Sequence, residues 1–314
     1  MGEATAALSP NKHVQEPLVG VLVLNWNSPQ DTIRCLLSIE NSNYSNYQIL
    51  VVDNGSEDDS LDQLHIAYPD LEILETGQNL GYSGGNNAGI RFLLDRGAEF
   101  IWLLNDDIAI SPGALSHLVR AAFEHPDAGF LGPKIVCMQD PKRLLSTGGL
   151  LTQDYQPIHR GMGESDDDQY NQRETVDFLS GCALLVSKNT IQGIGLLDEV
   201  YFTYHEDIDW CFRGREAGFS CLYAPDAVVY HPDTRQRDAK SPRVNYYIAR
   251  NSLLFARKHR LGLVCKVKMI ARYTRTIISW TIRPKWKYKR PQRDALCQAL
   301  LDYFYNHSGK WELH

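Results

Sequence analysis

Several familiar signatures are missing from this chain of 314 residues, and each absence narrows what it can be. Its seven cysteines are dispersed and odd in number, with no CxxC pair. That excludes a zinc ribbon, argues against a disulfide framework, and fits the reduced thiols of a cytoplasmic protein. No apolar run reaches the length of a membrane-spanning helix. No apolar segment follows a basic start, so residues 1–17 read as a polar, disordered lead-in and not as a signal peptide. The densest glycine cluster matches neither GxGxxG nor GxxxxGK[ST], so neither a Rossmann dinucleotide site nor a P-loop is supported. No Ser/His or Cys/His arrangement argues for a covalent enzyme intermediate.

What is present is an ordinary globular composition, 43% hydrophobic and 22% charged with a net charge of −6, long enough to bury a sizeable core. The charge is unevenly placed. Arg235 to Arg293 holds 18 of the 32 Lys/Arg and a single acid, Asp238, leaving 14 basic and 37 of the 38 acidic residues elsewhere. The chain is an acidic body with a basic C-terminal segment. Val19–Asn25, Ile49–Val52 and Leu71–Leu74 have strand character, and helical spacing covers Asp31–Ser42 and Ser60–Tyr68. This alternation predicts βαβ units around a mostly parallel sheet. Ser111 as N-cap and Pro112 at the first position predict a helix to about Glu124, and residues 138–175 read as a hairpin and mobile loop over the site. Phe219–Tyr223 and Ala227–Tyr230 read as two more strands.

The chemistry concentrates at strand ends. In open α/β sheets ligands sit beyond the carboxyl ends of the strands. Three such ends carry amides or carboxylates: Asn25 and Asn27, Asp53-Asn54, and Asn105-Asp106-Asp107 after the apolar run Trp102–Leu104. Single polar residues after strands are usually turn chemistry, but three together mark a ligand face. Asp-Asp at a strand mouth supplies hard oxygen ligands for Mg2+ or Mn2+ and the phosphates such ions bridge. Gln78 to Gly89 precedes a helical segment, Ile90 to Arg96, and its backbone N–H groups could either face an anion or form a purely structural loop. A second acidic cluster, Glu206-Asp207-Ile208-Asp209-Trp210, opens a helix, with Asp209 and Arg213 spaced i,i+4. His231 ends a strand, a position more often structural than ligating.

Taken in order, these marks resemble the inverting family 2 glycosyltransferases of the GT-A fold, near the rhamnosyltransferase and galactofuranosyltransferase-like branch. The resemblance covers roughly residues 18–260 and is carried by Val23–Asn27, Val51–Ser56, Asn79–Asn87, Leu103–Asp107, His205–Trp210 and His231. It implies a Rossmann-like, mostly parallel central sheet flanked by helices. The expected catalytic domain is 18–235, with a nucleotide-sugar half over about 18–110 and an acceptor half over about 111–235. A basic helical C-terminal segment, 236–314, follows. By the same resemblance Asn25, Asn27, Asp53, Asn54, Asn105 and Asp106, with the Gly84-Gly85-Asn86 loop, lie along the donor. Asp107 and His231 hold a divalent metal, Mg2+ or Mn2+. Asp207 is the catalytic base, and Glu206, Asp209 and Trp210 flank the acceptor. Asn105 stands where the family's motif has its first acid, so that position's ribose contact is in question.

The implied reaction moves a sugar from a nucleotide-diphosphate donor, dTDP-rhamnose or a UDP-sugar, to a hydroxyl of a glycan or lipid-linked acceptor in cell-surface polysaccharide synthesis. The alternatives are a nucleotidyltransferase of similar fold and a catalytically inactive nucleotide-sugar-binding protein. The first calls for a Gly-rich loop with Arg and Lys after the first strand, which Asn25-Trp26-Asn27-Ser28 is not. Tyr246–Lys258 reads as an amphipathic helix and Val264–Ile282 as a second, followed by Arg283–Arg290 with Trp286 and Tyr288 interspersed. Such a segment suits either a core-packing helix with a solvated face or an anionic membrane surface. The expectation is a cytoplasmic protein, peripheral on the inner face of the membrane, with no nucleic-acid partner.

Overall fold

A computed structural model describes residues 16–311; most of the expected lead-in, 1–15, lies outside the described residues. Apolar β-rich runs separated by amphipathic segments give β1 (Val19–Asn25), α1 (Pro29–Glu40), β2 (Tyr47–Asp53), α2 (Ser60–Ala67), β3 (Ile73–Glu75), α3 (Gly81–Asp95) and β4 (Phe100–Asn105). A second half follows with β5 (Ala109–Ile110), α4 (Ala114–Glu124), β6 (Ala128–Cys137), β7 (Asp140–Ser146), β8 (Gly149–Leu151), β9 (Pro157–His159), β10 (Glu174–Val176), β11 (Ala183–Ser187), α5 (Lys188–Ile194), α6 (Glu206–Glu216) and β12 (Ser220–His231). The C-terminal segment forms α7 (Arg235–Asp238), α8 (Pro242–Lys258), α9 (Leu263–Ile282) and α10 (Arg290–Tyr305).

The central sheet runs β10-β12-β6-β11-β4-β1-β2-β3. Strands β4, β1, β2 and β3 are parallel, β11 runs antiparallel between β4 and β6, and β12 is parallel to β6. Val, Ile and Leu on the two sheet faces form two cores, one beneath α3 and the C-terminal helices and one beneath α1 and α4. The two strands expected at Phe219–Tyr223 and Ala227–Tyr230 are one strand, β12, with its register shifted between Ala224 and Val228. The Ser111 cap expected for α4 is displaced: the helix starts at Ala114 with Gly113 at the cap, and the Ser111 carbonyl accepts from Ala114 N–H. Residues 138–175 do contain the expected hairpin, β8 against β9.

Register sets up the site. Asn25 pairs with Asp53, and Leu24 with Asn105, so the ends of β1, β2 and β4 are level. Just past β4, β5 pairs antiparallel with the end of β12, Ala109 opposite Tyr230. That pairing carries His231 back beside Asp107.

Candidate active site

Two clefts flank the ends of β1 and β4. The larger, about 610 Å³, is lined by Asn105, Asp107, Glu206, Asp207 and His231 among others. The second, about 510 Å³, is lined by Trp26, Asp53, Ser56, Gln78, Arg243 and Trp311 among others.

Asp107 and Asp207 are a hundred positions apart and reach one cleft through a short structural bridge. Asn105 N–H donates to the Cys182 carbonyl across the β4–β11 edge at 3.0 Å. The neighbouring Gly181 N–H donates to Asp207 Oδ2 at 3.0 Å, and Ile208 N–H donates to Oδ1 at 2.8 Å. A side chain at position 181 would meet the Tyr82 hydroxyl at 2.8 Å and Asp207 Cβ at 3.4 Å, so close approach requires glycine there. Tyr82 O–H donates to the Gly181 carbonyl at 2.5 Å, fixing that peptide from its other side. Glu206 and Asp207 occupy the first turn of α6, where the helix dipole favours negative charge.

The approach to α6 is strained. Phe202, Tyr204 and His205 all have left-handed φ (65°, 65° and 75°) although none is glycine, each costing about 1 kcal/mol or more. Asn251 of α8 holds this turn. Its buried Nδ2 donates toward the carbonyls of Tyr201, Thr203 and Tyr204 at 2.9, 2.7 and 2.7 Å, and Arg250 Nη2 reaches the Tyr201 carbonyl at 3.1 Å. The strain is therefore supported by hydrogen bonds from another element.

Burial pushes the Asp207 carboxyl above the ordinary carboxylate range, opposed by the hydrogen bonds from Gly181 and Ile208 and by His159. Burial, then Asp207, pushes Glu206 well up, and one Glu206 oxygen has no hydrogen-bond partner. Glu206 is therefore the harder of the two to ionise and Asp207 the easier. Burial and then Asp107 push Asp106 up to about 7. Burial lowers His205 to about 4, so its imidazole is neutral beneath the turn.

The residues present fit a divalent cation at Asp107 and His231. His231 Nδ1 lies 2.7 Å from the Pro232 carbonyl, which can only accept, so in the neutral ring that nitrogen carries the proton and Nε2 presents a lone pair. Nε2 is 3.4 Å from Asp107 Oδ1, a buried oxygen that receives no hydrogen bond. Two lone-pair donors face one another, as ligands converging on a cation do. Among the described residues no group of three or more His, Cys, Asp and Glu forms a cation cage.

Other expected site residues are placed differently. Asn25 is fully buried; its amide donates to Asp53 at 2.8 Å and to Ser56 at 3.1 Å, and its oxygen accepts from Thr32 at 2.8 Å. Asp53 also accepts from the Ser56 hydroxyl and N–H, and it lines the second cleft. Asn27, with φ 54°, accepts from Glu57 N–H, and Asn54 holds Leu80 and Gly81. These asparagines brace the strand-end loops.

Gly84, Gly85 and Asn86 are not in a loop but inside α3, and all three are buried. A Cβ on Gly85 would meet Leu24 at 2.6 Å and one on Gly89 would meet Leu22 at 2.3 Å. These glycines let α3 lie against β1. Two of the first N–H groups of α3 already have acceptors, Gly81 to the Asn79 side-chain oxygen and Ser83 to the Phe202 carbonyl. The phosphate-cradle expectation is corrected on that ground.

Asp209 and Trp210 are corrected likewise. Asp209 is fully buried, bound by Arg213, Lys258, His259 and Tyr201 away from the cleft. Trp210 is a core residue, donating to the Gly195 carbonyl and packing edge-on to Phe130.

Four contributions escape a sequence reading. His159 on β9 lines the larger cleft, with Nδ1 3.2 Å from the Ser146 hydroxyl and its ring edge-on to Phe178. Tyr82 of α3 and Tyr273 of α9 line the same cleft, and Arg235 with Arg237 lie at it as well. Arg243, Lys310 and Trp311 wall the second cleft, with the Arg243 guanidinium 5.2 Å from the Trp26 ring. Local sequence gives no signal for them, because each comes near only through tertiary packing.

Comparisons with known proteins bear on the family and the fold. The "Glycosyl transferase family 2" model matches residues 20–192. The chain is 32% identical over 232 residues to N-acetylglucosaminyl-diphospho-decaprenol L-rhamnosyltransferase of Mycobacterium tuberculosis, covering 67% of this chain and 75% of that one. It is 26% identical over 241 residues to dTDP-rhamnosyl transferase RfbF of Shigella flexneri, covering 72% and 76%. Among solved structures, the mannosyltransferase PcManGT from Pyrobaculum calidifontis in complex with GDP-Man and Mn2+ superposes with a TM-score of 0.58 at 13% identity, over 93% of this chain and 88% of that one. GalNAc-T7 with UDP, GalNAc and Mn2+ gives 0.58 at 12% identity, over 70% and 44%.

Proposed function

The chain belongs to glycosyl transferase family 2 and is a glycosyltransferase; from that premise we propose an inverting transfer of a rhamnosyl-type sugar from a nucleoside diphosphate to a hydroxyl of a glycan or lipid-linked acceptor. The observation that carries this reading is the meeting of Asp107 and Asp207 in one cleft through Gly181 and Cys182. The rhamnosyl preference is supported by the two relatives named as rhamnosyltransferases, one of which is named for a diphospho-decaprenol acceptor. Arg237 brings a guanidinium to the cleft, and Arg235 lies there held by Asp233 at 2.7 and 2.8 Å; a phosphate on the acceptor would find its partner in Arg237.

In this reading the nucleoside lies in the second cleft, lined by Trp26, Asp53, Arg243 and Trp311. Its diphosphate extends toward Asp107. Asp107 and His231 would hold Mg2+ or Mn2+, which supplies charge neutralisation for the departing diphosphate. Asp207 accepts the proton of the acceptor hydroxyl as its oxygen bonds to the anomeric carbon. The bond from that carbon to the diphosphate oxygen breaks with its electron pair, and configuration inverts. Hydrogen bonds from Gly181 and Ile208 fix the orientation of this carboxylate.

The test is turnover of a nucleotide-sugar panel by wild type and Asp207→Asn. We expect dTDP-rhamnose to be the preferred donor. The variant should lose about 10²–10⁴-fold in transfer while its calorimetric donor affinity stays near wild type. Wild-type turnover in Asp207→Asn overturns the assignment of the base.

A further inference from the structure

Helix α9 has two unlike faces. Met269, Tyr273 and Trp280 point inward, and Met269 is its sole fully buried residue. The opposite face carries Val264, Val267, Ala271, Ile278 and Ile282 at spacings that bring them onto one side. Val264 is 70% and Ile282 68% exposed, and Val267, Ala271 and Ile278 line an apolar hollow of about 440 Å³. An outward stripe of this length is costly in water and marks an interaction surface.

The surroundings say what covers it. From Leu261 to Arg293 there are ten Lys/Arg and no acid. Arg272 flanks the stripe on the helix itself, Arg275 edges the hollow, Lys268 pairs with Asp154 at 2.8 Å, and the turn after the helix presents Lys285, Trp286, Lys287 and Tyr288. Cationic flanks with long stems, an apolar centre and aromatic residues with polar tips match a bilayer's anionic headgroup layer above its acyl boundary. No described helix is long and apolar enough to cross a membrane, so this one would lie along the surface.

The same helix also belongs to the reaction cleft. Tyr273 lines it, with its hydroxyl 2.9 Å from Ser252 Oγ. We propose that the outward face of α9, with the basic turn after it, docks on an anionic lipid bilayer. The cleft wall formed by the inner side of α9 is thereby held against the membrane, and the acceptor enters as a lipid-anchored molecule. What enters the cleft rests on the transferase reading; the docking surface does not.

Sedimentation of the full chain with vesicles tests this. One set contains phosphatidylcholine alone, and the other adds phosphatidylglycerol. Nucleotide-sugar hydrolysis is measured in the same preparations. We expect binding to the anionic vesicles at low salt and its loss at high salt. Val267→Glu with Ile278→Glu should weaken partitioning about tenfold or more with hydrolysis unchanged. Lys285→Glu with Lys287→Glu should weaken it in the anionic set. Failure of the wild type to bind anionic vesicles at low salt overturns the proposal, as does undiminished binding by the apolar-face variant. A concentration-dependent dimer that this variant dissociates would assign the face to a second copy and overturn it too. Vesicle binding by a wild type that hydrolyses no nucleotide-sugar supports the surface and overturns only the transferase reading.

Discussion

Asp207 and Asp209 are two positions apart, and the rotation of about 200° between them around α6 sends one to the cleft and the other into the core. Their environments then diverge. Burial raises Asp207, with hydrogen bonds and His159 only partly opposing it. At Asp209 burial acts in the same direction, but His259, Lys258 and Arg213 outweigh it and hold the carboxyl well below the ordinary range. In the proposed role of base, Asp207 acts only when deprotonated. The acid limb of kcat/KM should therefore lie above the ordinary carboxylate range, with activity falling as pH drops through that raised value. A pH-rate profile checks this, and an acid limb at an unperturbed aspartate value would contradict it. The acidic run 206–209 was legible as a helix start, and the resemblance singled out Asp207 as the base. That Asp209 turns into the core was not legible, because positions two apart on a helix face nearly opposite ways and only the packing shows which side is buried.

Elements explain both what was readable and what was not. Level strand ends at Asn25, Asp53 and Asn105 follow from a parallel sheet whose strands the sequence marks by β-rich apolar runs. The glycine cluster misled for a reason that packing makes plain: Gly85 and Gly89 seat α3 on Leu24 and Leu22, and a helix needs such small residues as much as an anion loop does. The left-handed turn at Phe202–His205 left no local trace, since its support comes from α8, nearly fifty residues away. Asn251→Ala removes the donor that serves the Tyr201, Thr203 and Tyr204 carbonyls. Unsatisfied buried acceptors cost about 1–3 kcal/mol, so denaturant unfolding should show a loss of that order. Because the turn presents Asp207 and not the donor pocket, kcat should fall with donor KM little changed. A variant with lowered stability but wild-type kcat would leave the turn purely structural.

Across the whole molecule, the basic C-terminal segment is built into the catalytic body. Arg250 is buried and joins the Tyr201 carbonyl to that of Gly309 at 3.1 and 2.8 Å, while Gly309 N–H returns to the Val200 carbonyl at 3.0 Å. These bonds lay the tail across the body, with the Trp311 ring stacked on Tyr246 at 4.5 Å and the Trp311 backbone N–H donating to the Tyr247 hydroxyl. Lys310 and Trp311 therefore join Arg243 in a cleft whose other residues include the acids Asp53, Glu57 and Glu75. In the proposed donor placement, a nucleoside diphosphate brings an aromatic base and two negative charges into that mixture. The base gains from the ring at one wall, and the phosphates gain from the cations that offset those acids. Lys310→Glu reverses one of those charges and Trp311→Ala opens the wall, while neither residue lines the cleft that holds Asp207. Each should therefore raise donor KM, by about tenfold when both are changed together, with kcat near wild type; that pattern marks loss of binding shared by ground and transition states. Steady-state kinetics over donor concentration separates the cases. A fall in kcat at unaltered KM would take the tail out of the donor pocket and assign it to support of the left-handed turn through Arg250.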